Sequence, residues 1–162
     1  MAISVGDTLP DGTFLKIGEK GPEEVSLASL SAGKTLAIFG LPGAYTGTCT
    51  TAHVPSFIRN MDALKSKGID EVICVAVNDP FVMQTWGAET GAAEAGIHML
   101  GDSSGAYTAA IGMGFDAPPV GFYGRSKRYA MVATDGKVTY MNTDDNPGEC
   151  NLSAAETMLD AL

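Results

Sequence analysis

Apolar runs that alternate with helical patterns dominate the first part of the chain. The run Thr35–Gly40 predicts a strand, and a turn then leads into a helix whose apolar positions recur three and four residues apart. Both alternating sets of side chains are apolar in Glu71–Val77, which is typical of a central parallel strand covered on both faces. Asp79 and Pro80 then predict the start of another helix, with Asp79 as its N-cap.

Shorter elements are predicted toward the C-terminus. His98–Leu100 is a candidate strand and Gly105–Ile111 a candidate helix. The dipeptide 135–136, Asp-Gly, stands between two β-favouring segments and predicts a tight hairpin. Ser153 and Glu156 have the spacing of a capping box, which predicts that the last helix begins at Ser153.

A small hairpin is predicted at the N-terminus from Thr13–Ile17 and Glu24–Leu27. Together these elements predict an α/β fold, with a central mixed sheet, helices on both faces and an N-terminal β-hairpin extension. With 162 residues, 45% of them hydrophobic, the chain is expected to form a single domain over 1–162.

Charge and hydropathy narrow the possible partners. Nineteen acidic residues against ten basic ones give a net charge of −9, which makes nucleic acid a poor partner. The longest apolar stretch, residues 36–41, is far shorter than the roughly 20 residues that cross a bilayer. We therefore expect neither nucleic-acid nor membrane binding.

The chain has three widely spaced cysteines and no CxxC pair, so a disulfide scaffold is not expected. This usage suits a reducing compartment, and we expect the protein to be cytoplasmic. Cys74 lies in the middle of an apolar strand, which predicts inert packing in the core. Cys150 follows Asn146-Pro147-Gly148-Glu149, which predicts an accessible position in a surface loop.

Cys49 is the candidate nucleophile. It directly follows the loop 42–48 at the first turn of a predicted helix, where free N–H groups and the helix dipole stabilise a thiolate. Thr46 could donate its hydroxyl to the sulfur or to a substrate oxygen, and either Thr46 or Thr48 could cap the helix. The basic cluster 125–128 could bring a guanidinium to the sulfur. The competing interpretation, Cys49 as a small buried apolar residue, is less favoured in so polar and Gly-rich a context.

His53 comes four residues after Cys49, on the same helical face. This spacing raises the alternatives of a Cys/His acyl-transfer site or, with His98, a metal site. Neither is convincing, because no orienting acid or second ligand pair accompanies His53. A structural hydrogen-bonding role for His53 is as plausible, and no metal is assigned.

The loop and the nucleophile together resemble a known family signature. Pro42-Gly43-Ala44-Tyr45-Thr46-Gly47-Thr48-Cys49 is similar to the P-x-x-x-T-x-x-C signature of peroxiredoxins. The rest of the chain resembles their type II, or type five, subfamily, in segments that include Val5-Gly6-Asp7, Val77-Asn78-Asp79-Pro80-Phe81-Val82, Trp86-Gly87 and Arg128-Tyr129-Ala130-Met131. The resemblance implies a thioredoxin fold and a thiol peroxidase that needs no metal, haem, flavin or other cofactor.

The resemblance also implies roles for individual residues. Cys49 attacks a peroxide oxygen and becomes a sulfenic acid. Hydrogen bonds are donated to the sulfur and the peroxide by Thr46, Arg128 and the Cys49 backbone N–H. Pro42 shields the pocket. Cys150 is a possible resolving cysteine. The remaining residues expected at the substrate pocket are Gly47, Thr48, His53 and Phe122. Gly47 departs from the family pattern, since many relatives have proline there, which affects the expected rigidity of the loop.

Substrates and partners follow from the same resemblance. Hydrogen peroxide and organic hydroperoxides are the expected substrates, and glutathione with glutaredoxin, or thioredoxin, is the expected reductant. A homodimer involving Phe81, Trp86 or Phe122 is expected. Two alternatives remain at this point: a thiol–disulfide oxidoreductase on the same fold, which the missing CxxC disfavours, and a redox-responsive binding protein.

Overall fold

Nine strands and six α-helices make up the computed structural model, which describes residues 1–162. The strands are β1 (Thr13–Gly18), β2 (Gly21–Ser26), β3 (Thr35–Gly40), β4 (Glu71–Ala76), β5 (His98–Gly101), β6 (Gly114–Ala117), β7 (Phe122–Ser126), β8 (Arg128–Thr134) and β9 (Lys137–Asp144). The helices are α1 (Leu27–Ser31), α2 (Val54–Arg59), α3 (Met61–Ser66), α4 (Pro80–Thr90), α5 (Ala106–Ala110) and α6 (Ala155–Asp160). A π-helical segment (Cys49–His53) directly precedes α2, and a 3₁₀ turn (Pro118–Val120) lies between β6 and β7.

Seven strands form one mixed sheet in the order β2-β1-β5-β4-β3-β8-β9. The three central strands β3, β4 and β5 are parallel, while β8 and β9 continue the sheet antiparallel on one side and β1 and β2 on the other. The predicted central mixed sheet is therefore confirmed, and so is the N-terminal hairpin. Strands β6 and β7 form a separate two-stranded sheet that the sequence patterns did not predict.

Two apolar cores cover the two faces of the large sheet. One face packs against the π-helical segment, α2, α3, α4 and α6, and this core contains Cys49 and Cys74. The other packs against α1 and α5, through residues such as Leu27, Tyr107 and Ile111. Helices thus lie on both faces, as predicted. The longest helix, α4, has 11 residues, and none of the helices has the length and apolar character needed to span a membrane.

Local signals identified several element boundaries. Asp79 caps α4 by accepting the Val82 N–H at 2.9 Å, and Asp135 and Gly136 adopt the positive φ angles of a tight hairpin, 47° and 80°. The central strands begin and end within one residue of the prediction.

The helix after Cys49 differs from the prediction because it is divided. A π-helical turn comes first, closed by the Val54 N–H that donates to the Cys49 carbonyl five residues earlier, and Asn60 separates α2 from α3. Pro55, which has no N–H to donate, lies in the first turn of α2, where its missing donor costs least. The predicted caps Thr46 and Thr48 are wrong, since no side chain caps this segment.

The predicted capping box at Ser153 is also wrong. Helix α6 begins at Ala155, after an uncapped Ala154, and the Ser153 hydroxyl donates to the carboxylate of Asp144 instead. The strong hydrogen bond to the charged carboxylate fixes the orientation of this hydroxyl, and its oxygen accepts no N–H group of the helix.

Candidate active site

Cys49 lies at the carboxyl end of β3, after an eight-residue loop, and its side chain is completely buried. The loop leaves the sheet where the parallel strands β3 and β4 both end, which is the edge where α/β sheets commonly place their ligands. The loop backbone is strained at Tyr45, because its φ of 65° lies in the left-handed region, which is unfavourable for a residue with a Cβ atom. The sulfur is therefore held at the start of a helical segment, shielded from water.

Arg128 supplies the guanidinium that the basic cluster predicted. Its Nη2 donates to the Cys49 sulfur at 3.3 Å and to the Pro147 carbonyl at 2.9 Å, and the side chain is 1% exposed. Strand β8 pairs with β3 up to Gly40 and Tyr129, which brings Arg128 to the loop. The contact places a buried positive charge directly beside the sulfur.

The Thr46 hydroxyl was expected to donate to the sulfur or to a substrate oxygen, and of these two contacts the one to the sulfur is not formed. The hydroxyl donates to the Gly43 carbonyl at 2.7 Å, inside its own loop. With its proton committed there, the Thr46 oxygen can still accept a hydrogen bond from a substrate O–H.

Two residues that the sequence analysis did not assign to the site hold the loop in place. Arg125 Nη1 donates to the Pro42 carbonyl at 3.0 Å, and Asn78 Oδ1 accepts the Ala44 N–H at 2.9 Å. Pro42 is buried, as expected of a shielding residue. Two features of the sequence could have assigned these residues to the site. Arg125 belongs to the basic cluster, and Asn78 lies at the carboxyl end of β4.

His53 is buried beside Arg128. Arg128 Nη1 donates to His53 Nδ1 at 3.1 Å, and His53 Nε2 lies 3.0 Å from the Ser153 carbonyl oxygen. Burial and the neighbouring Arg128 charge lower the pKa of His53 to about 3, although Ser153 and Asp144 act in the opposite direction. Both ring nitrogens are occupied by protein groups, which leaves neither for a metal or for acyl-transfer chemistry with Cys49.

Asp144 at the end of β9 organises the segment behind His53. Its carboxylate accepts the N–H groups of Asn151, Leu152 and Ser153, together with the Ser153 hydroxyl. Burial raises the pKa of the Asp144 carboxyl, but these hydrogen bonds outweigh burial and bring the pKa below its ordinary value. No local pattern predicted the role of this carboxylate, because all its partners belong to a loop.

The other two cysteines differ from Cys49 in their surroundings. Cys74 on β4 is completely buried in the same core as Cys49, and burial raises the pKa of its thiol well above the ordinary value, as the nearby Cys49 also does. Cys150 is half-buried, with its sulfur 4.0 Å from the Ser153 hydroxyl, and burial raises the pKa of this thiol too. All three cysteines are free.

The remaining predicted pocket residues lie around the loop in different ways. Thr48 donates its hydroxyl to the Gly148 carbonyl at 2.7 Å, which ties the loop to the segment carrying Cys150, and Gly47 is exposed. Phe122 on β7 is half-buried and lies under the Arg125 guanidinium, 5.1 Å from the ring centre. Phe122 therefore contacts Arg125, and Arg125 in turn donates to the Pro42 carbonyl of the loop.

A cavity of about 510 Å³ lies beside this site. Arg128, Asp144 and Pro147 contribute to its wall, but Cys49 does not. The Cys49 sulfur therefore has no direct opening into this cavity.

Comparisons with known proteins agree with this architecture. The chain matches the Redoxin family over residues 4–159. It is 45% identical to Peroxiredoxin-2D of Arabidopsis thaliana over 161 residues, 99% of this chain and 98% of the relative. Its structure is similar to that of reduced Prx3 from Vibrio vulnificus in complex with H₂O₂, with a TM-score of 0.90, 41% identity and 98% of each chain covered. Peroxiredoxin 5 from Alvinella pompejana follows with a TM-score of 0.84, 28% identity, and 98% and 97% covered.

The chain belongs to the peroxiredoxins, within the Redoxin family. It is a cysteine-dependent peroxidase, an oxidoreductase that takes its electrons from thiols. The thioredoxin-like fold expected from the resemblance is confirmed.

Proposed function

We propose that Cys49 is the residue that attacks the peroxide, and that hydrogen peroxide and organic hydroperoxides are the substrates. The observation that carries this proposal is the 3.3 Å contact between Arg128 Nη2 and the Cys49 sulfur in a fully buried setting. Neither Cys74 nor Cys150 has a comparable cationic hydrogen-bond donor. Only one of the three sulfurs thus accepts a hydrogen bond from a guanidinium.

The reaction is a displacement at oxygen. The Cys49 thiolate donates an electron pair to one peroxide oxygen, an S–O bond forms and the O–O bond breaks. The sulfur is oxidised to a sulfenic acid, which keeps the proton of the attacked oxygen. The other oxygen leaves as hydroxide or alkoxide and takes up a proton to become water or an alcohol.

The groups around the sulfur suit this charge movement. Negative charge passes from the sulfur to the leaving oxygen. Arg128 can stabilise the charge on both atoms because its guanidinium has five N–H donors. The Thr46 oxygen accepts the peroxide O–H, since its own proton is committed to Gly43. Pro42 shields the reacting atoms from water.

Replacement of cysteines one at a time tests the proposal. Cys49→Ser is expected to abolish peroxide consumption in the presence of excess dithiol, while the matched variant Cys74→Ser keeps the parent rate. Turnover retained by Cys49→Ser, or lost by Cys74→Ser with an unchanged fold, would contradict the assignment.

We propose further that Cys150 resolves the sulfenic acid. The Cys150 thiol attacks the Cys49 sulfur, water leaves, and a disulfide forms that glutaredoxin with glutathione, or thioredoxin, then reduces. Support comes from the neighbouring residues, since Pro147 contacts Arg128 and Gly148 contacts Thr48. The segment that carries Cys150 therefore lies against the segment that carries Cys49.

Intact-mass analysis after one equivalent of peroxide tests this step. The parent is expected to lose two hydrogens, and Cys150→Ser to gain one oxygen or, with glutathione present, one glutathione. A sulfenic acid or glutathione adduct in the parent as well would overturn the role of Cys150 and favour direct reduction by an external thiol.

The proposed assembly is a homodimer, with Phe81 as a contact residue because its side chain is 61% exposed. The expectation for Trp86 was wrong, since that side chain is completely buried and donates its ring N–H to Thr50. Phe81→Asp is expected to convert a dimer seen by light scattering into a monomer. A parent that is monomeric at high micromolar concentration would contradict the proposal.

The proposed location is the cytoplasm, on the ground that all three cysteines are free. Fractionation of the source cells with thiol trapping is expected to recover the protein reduced in the cytoplasmic fraction. Recovery in an oxidising compartment would contradict it.

A further inference from the structure

The turn that follows β9, residues 145–149, has few hydrogen bonds to the rest of the protein. All its residues are exposed, and the Gly148 N–H donates within the turn, to the Asn146 side chain at 2.9 Å. Only two hydrogen bonds join the turn to other segments, and their donors are Thr48 and Arg128. An exposed segment with so few bonds can lift away while the fold around it stays intact.

Both of these bonds lie beside the Cys49 sulfur. Arg128 Nη2 donates to the Pro147 carbonyl at 2.9 Å and to the sulfur at 3.3 Å, so the carbonyl oxygen lies within about 6 Å of the sulfur. Thr48, the residue before Cys49, donates its hydroxyl at 2.7 Å to the carbonyl of Gly148, the residue after Pro147. The turn is thus held directly against the segment that carries the nucleophile.

The same turn also borders the cavity of about 510 Å³. Asp145 and Pro147 contribute to the wall of this cavity, and so does Arg128, while Cys49 does not. Pro147 and Arg128 therefore separate the cavity from the sulfur. Arg128 is fully buried, whereas Pro147 belongs to the exposed turn. Movement of the turn would join the cavity to the sulfur.

The cavity suits an uncharged apolar group. Its volume of about 510 Å³ is within the range of about 300–1,000 Å³ that is usual for small-molecule sites. The charges in its wall balance, since Lys127 and Arg128 are offset by Asp144 and Asp145. Apolar residues form much of the remaining wall: Ala2, Ile3, Met113, Phe115, Met141 and Leu152. An alkyl or aryl group would bury apolar surface there.

We infer that this cavity binds the organic group of bulky apolar hydroperoxides, and that the turn 145–149 lifts to let such a substrate reach Cys49. Thr48 then determines specificity, because its bond to Gly148 keeps the turn closed. Hydrogen peroxide has no organic group to place in the cavity. This binding site deepens the proposed function and rests on it, since the reaction at the sulfur is the same.

One pair of variants tests the role of the turn. Thr48→Val keeps the shape of the side chain but removes the bond to Gly148. Thr51→Val is the matched control, because the Thr51 hydroxyl donates to the Gly47 carbonyl at 2.9 Å and not to the turn. The measured quantity is the ratio of the rate constants for oxidation of Cys49 by cumene hydroperoxide and by hydrogen peroxide. A change in the sulfur itself affects both rate constants and leaves this ratio nearly constant.

The ratio is expected to rise about three- to tenfold in Thr48→Val, which is the effect of one lost hydrogen bond on the opening of the turn. In Thr51→Val it is expected to stay within about twofold of the parent. Equal ratios in the two variants would overturn the role of the turn. A parent that reacts with neither peroxide would instead contradict the proposed function itself.

A second pair of variants tests the role of the cavity. Leu152 lines the cavity with a side chain that is 51% exposed, so Leu152→Glu brings a charge to the cavity without disturbing the core. Leu162→Glu is the matched control at an exposed leucine outside the cavity. The ratio is expected to fall at least about threefold in Leu152→Glu, because the organic group loses apolar contact, and to remain that of the parent in Leu162→Glu. An unchanged ratio in Leu152→Glu would overturn the assignment of the cavity, and this pair tests the inference alone if Thr48→Val does not fold.

Discussion

Arg128 and Cys49 are 79 residues apart in the chain, yet Nη2 of one lies 3.3 Å from the sulfur of the other. The contact follows from the pairing of β8 with β3, which ends at Gly40 and Tyr129. The loop with the nucleophile leaves β3 at that point, and Arg128 precedes Tyr129 by one residue. The sheet therefore assembles the site from two distant segments.

The first prediction concerns this contact. Arg128→Gln removes the charge from a buried site and is expected to lower the rate constant for peroxide oxidation of Cys49 by about 10²–10³-fold. Arg128→Lys keeps the charge but loses the bond to His53 or to Pro147, and an intermediate rate is expected. The rate constant can be measured by stopped-flow fluorescence of Trp86, the single tryptophan. Its ring N–H donates a hydrogen bond to Thr50, the residue that follows Cys49. Equal rates in the parent and Arg128→Gln would contradict the role of the guanidinium.

The second prediction concerns the support of the loop. A Cβ on Gly43 would overlap Nη1 of Arg125, so Gly43→Ala is expected to displace Arg125 from the Pro42 carbonyl. The peroxide rate constant should fall about tenfold, since small misplacements of reacting groups are costly. Gly114→Ala, where the added Cβ meets nothing within 4 Å, is the matched control. A parent-like rate in Gly43→Ala would show that Arg125 does not matter for the loop.

The third prediction concerns the Asp144 carboxylate. Because its pKa in the folded protein is below the ordinary value of 3.8, the carboxylate stabilises the fold above that pH, and this contribution is lost as the pH falls through the lower, folded pKa. Asp144→Asn is therefore expected to lower the free energy of unfolding by about 2 kcal/mol at pH 7. The difference from the parent should shrink below about pH 4. Urea unfolding at pH 7 and pH 3 measures both values, and a difference that grew toward low pH would contradict this account.

The fourth prediction separates Cys74 from the chemistry. Cys74→Ala leaves a small cavity in the core of the sheet and is expected to lower the free energy of unfolding by about 1 kcal/mol. The peroxide rate constant should not change, because the sulfur is fully buried and its pKa is raised. A slower reaction in a stable Cys74→Ala variant would give this thiol a redox role.

Much of the fold was predictable because its signals are local. The apolar runs at β3 and β4, the Asp79 cap and the Asp135–Gly136 turn each act within a few residues, and the structure confirms them. The loop with Thr46 and Cys49 was found in the same way. The β6–β7 sheet escaped prediction because its strands have only four and five residues, and each strand contains a glycine, which is unfavourable in strands.

The errors occurred where a hydroxyl donates to a group other than the one that its sequence motif suggests. Ser153 has the sequence of a helix cap, but the Asp144 carboxylate takes its hydroxyl, and Thr46 donates to Gly43 and not to the sulfur. The contact between His53 and Arg128 joins residues 75 positions apart. Spacing in a single sequence carries no information on such contacts.

Alkylation of the cysteines by iodoacetamide tests the central claim, that the hydrogen bond from Arg128 makes Cys49 the reactive sulfur of this protein. At pH 7, followed by peptide mass spectrometry, Cys49 of the parent is expected to react at least about tenfold faster than Cys150, and also faster than Cys49 of Arg128→Gln. A parent in which Cys49 reacts no faster than Cys150, or no faster than in Arg128→Gln, would contradict the account.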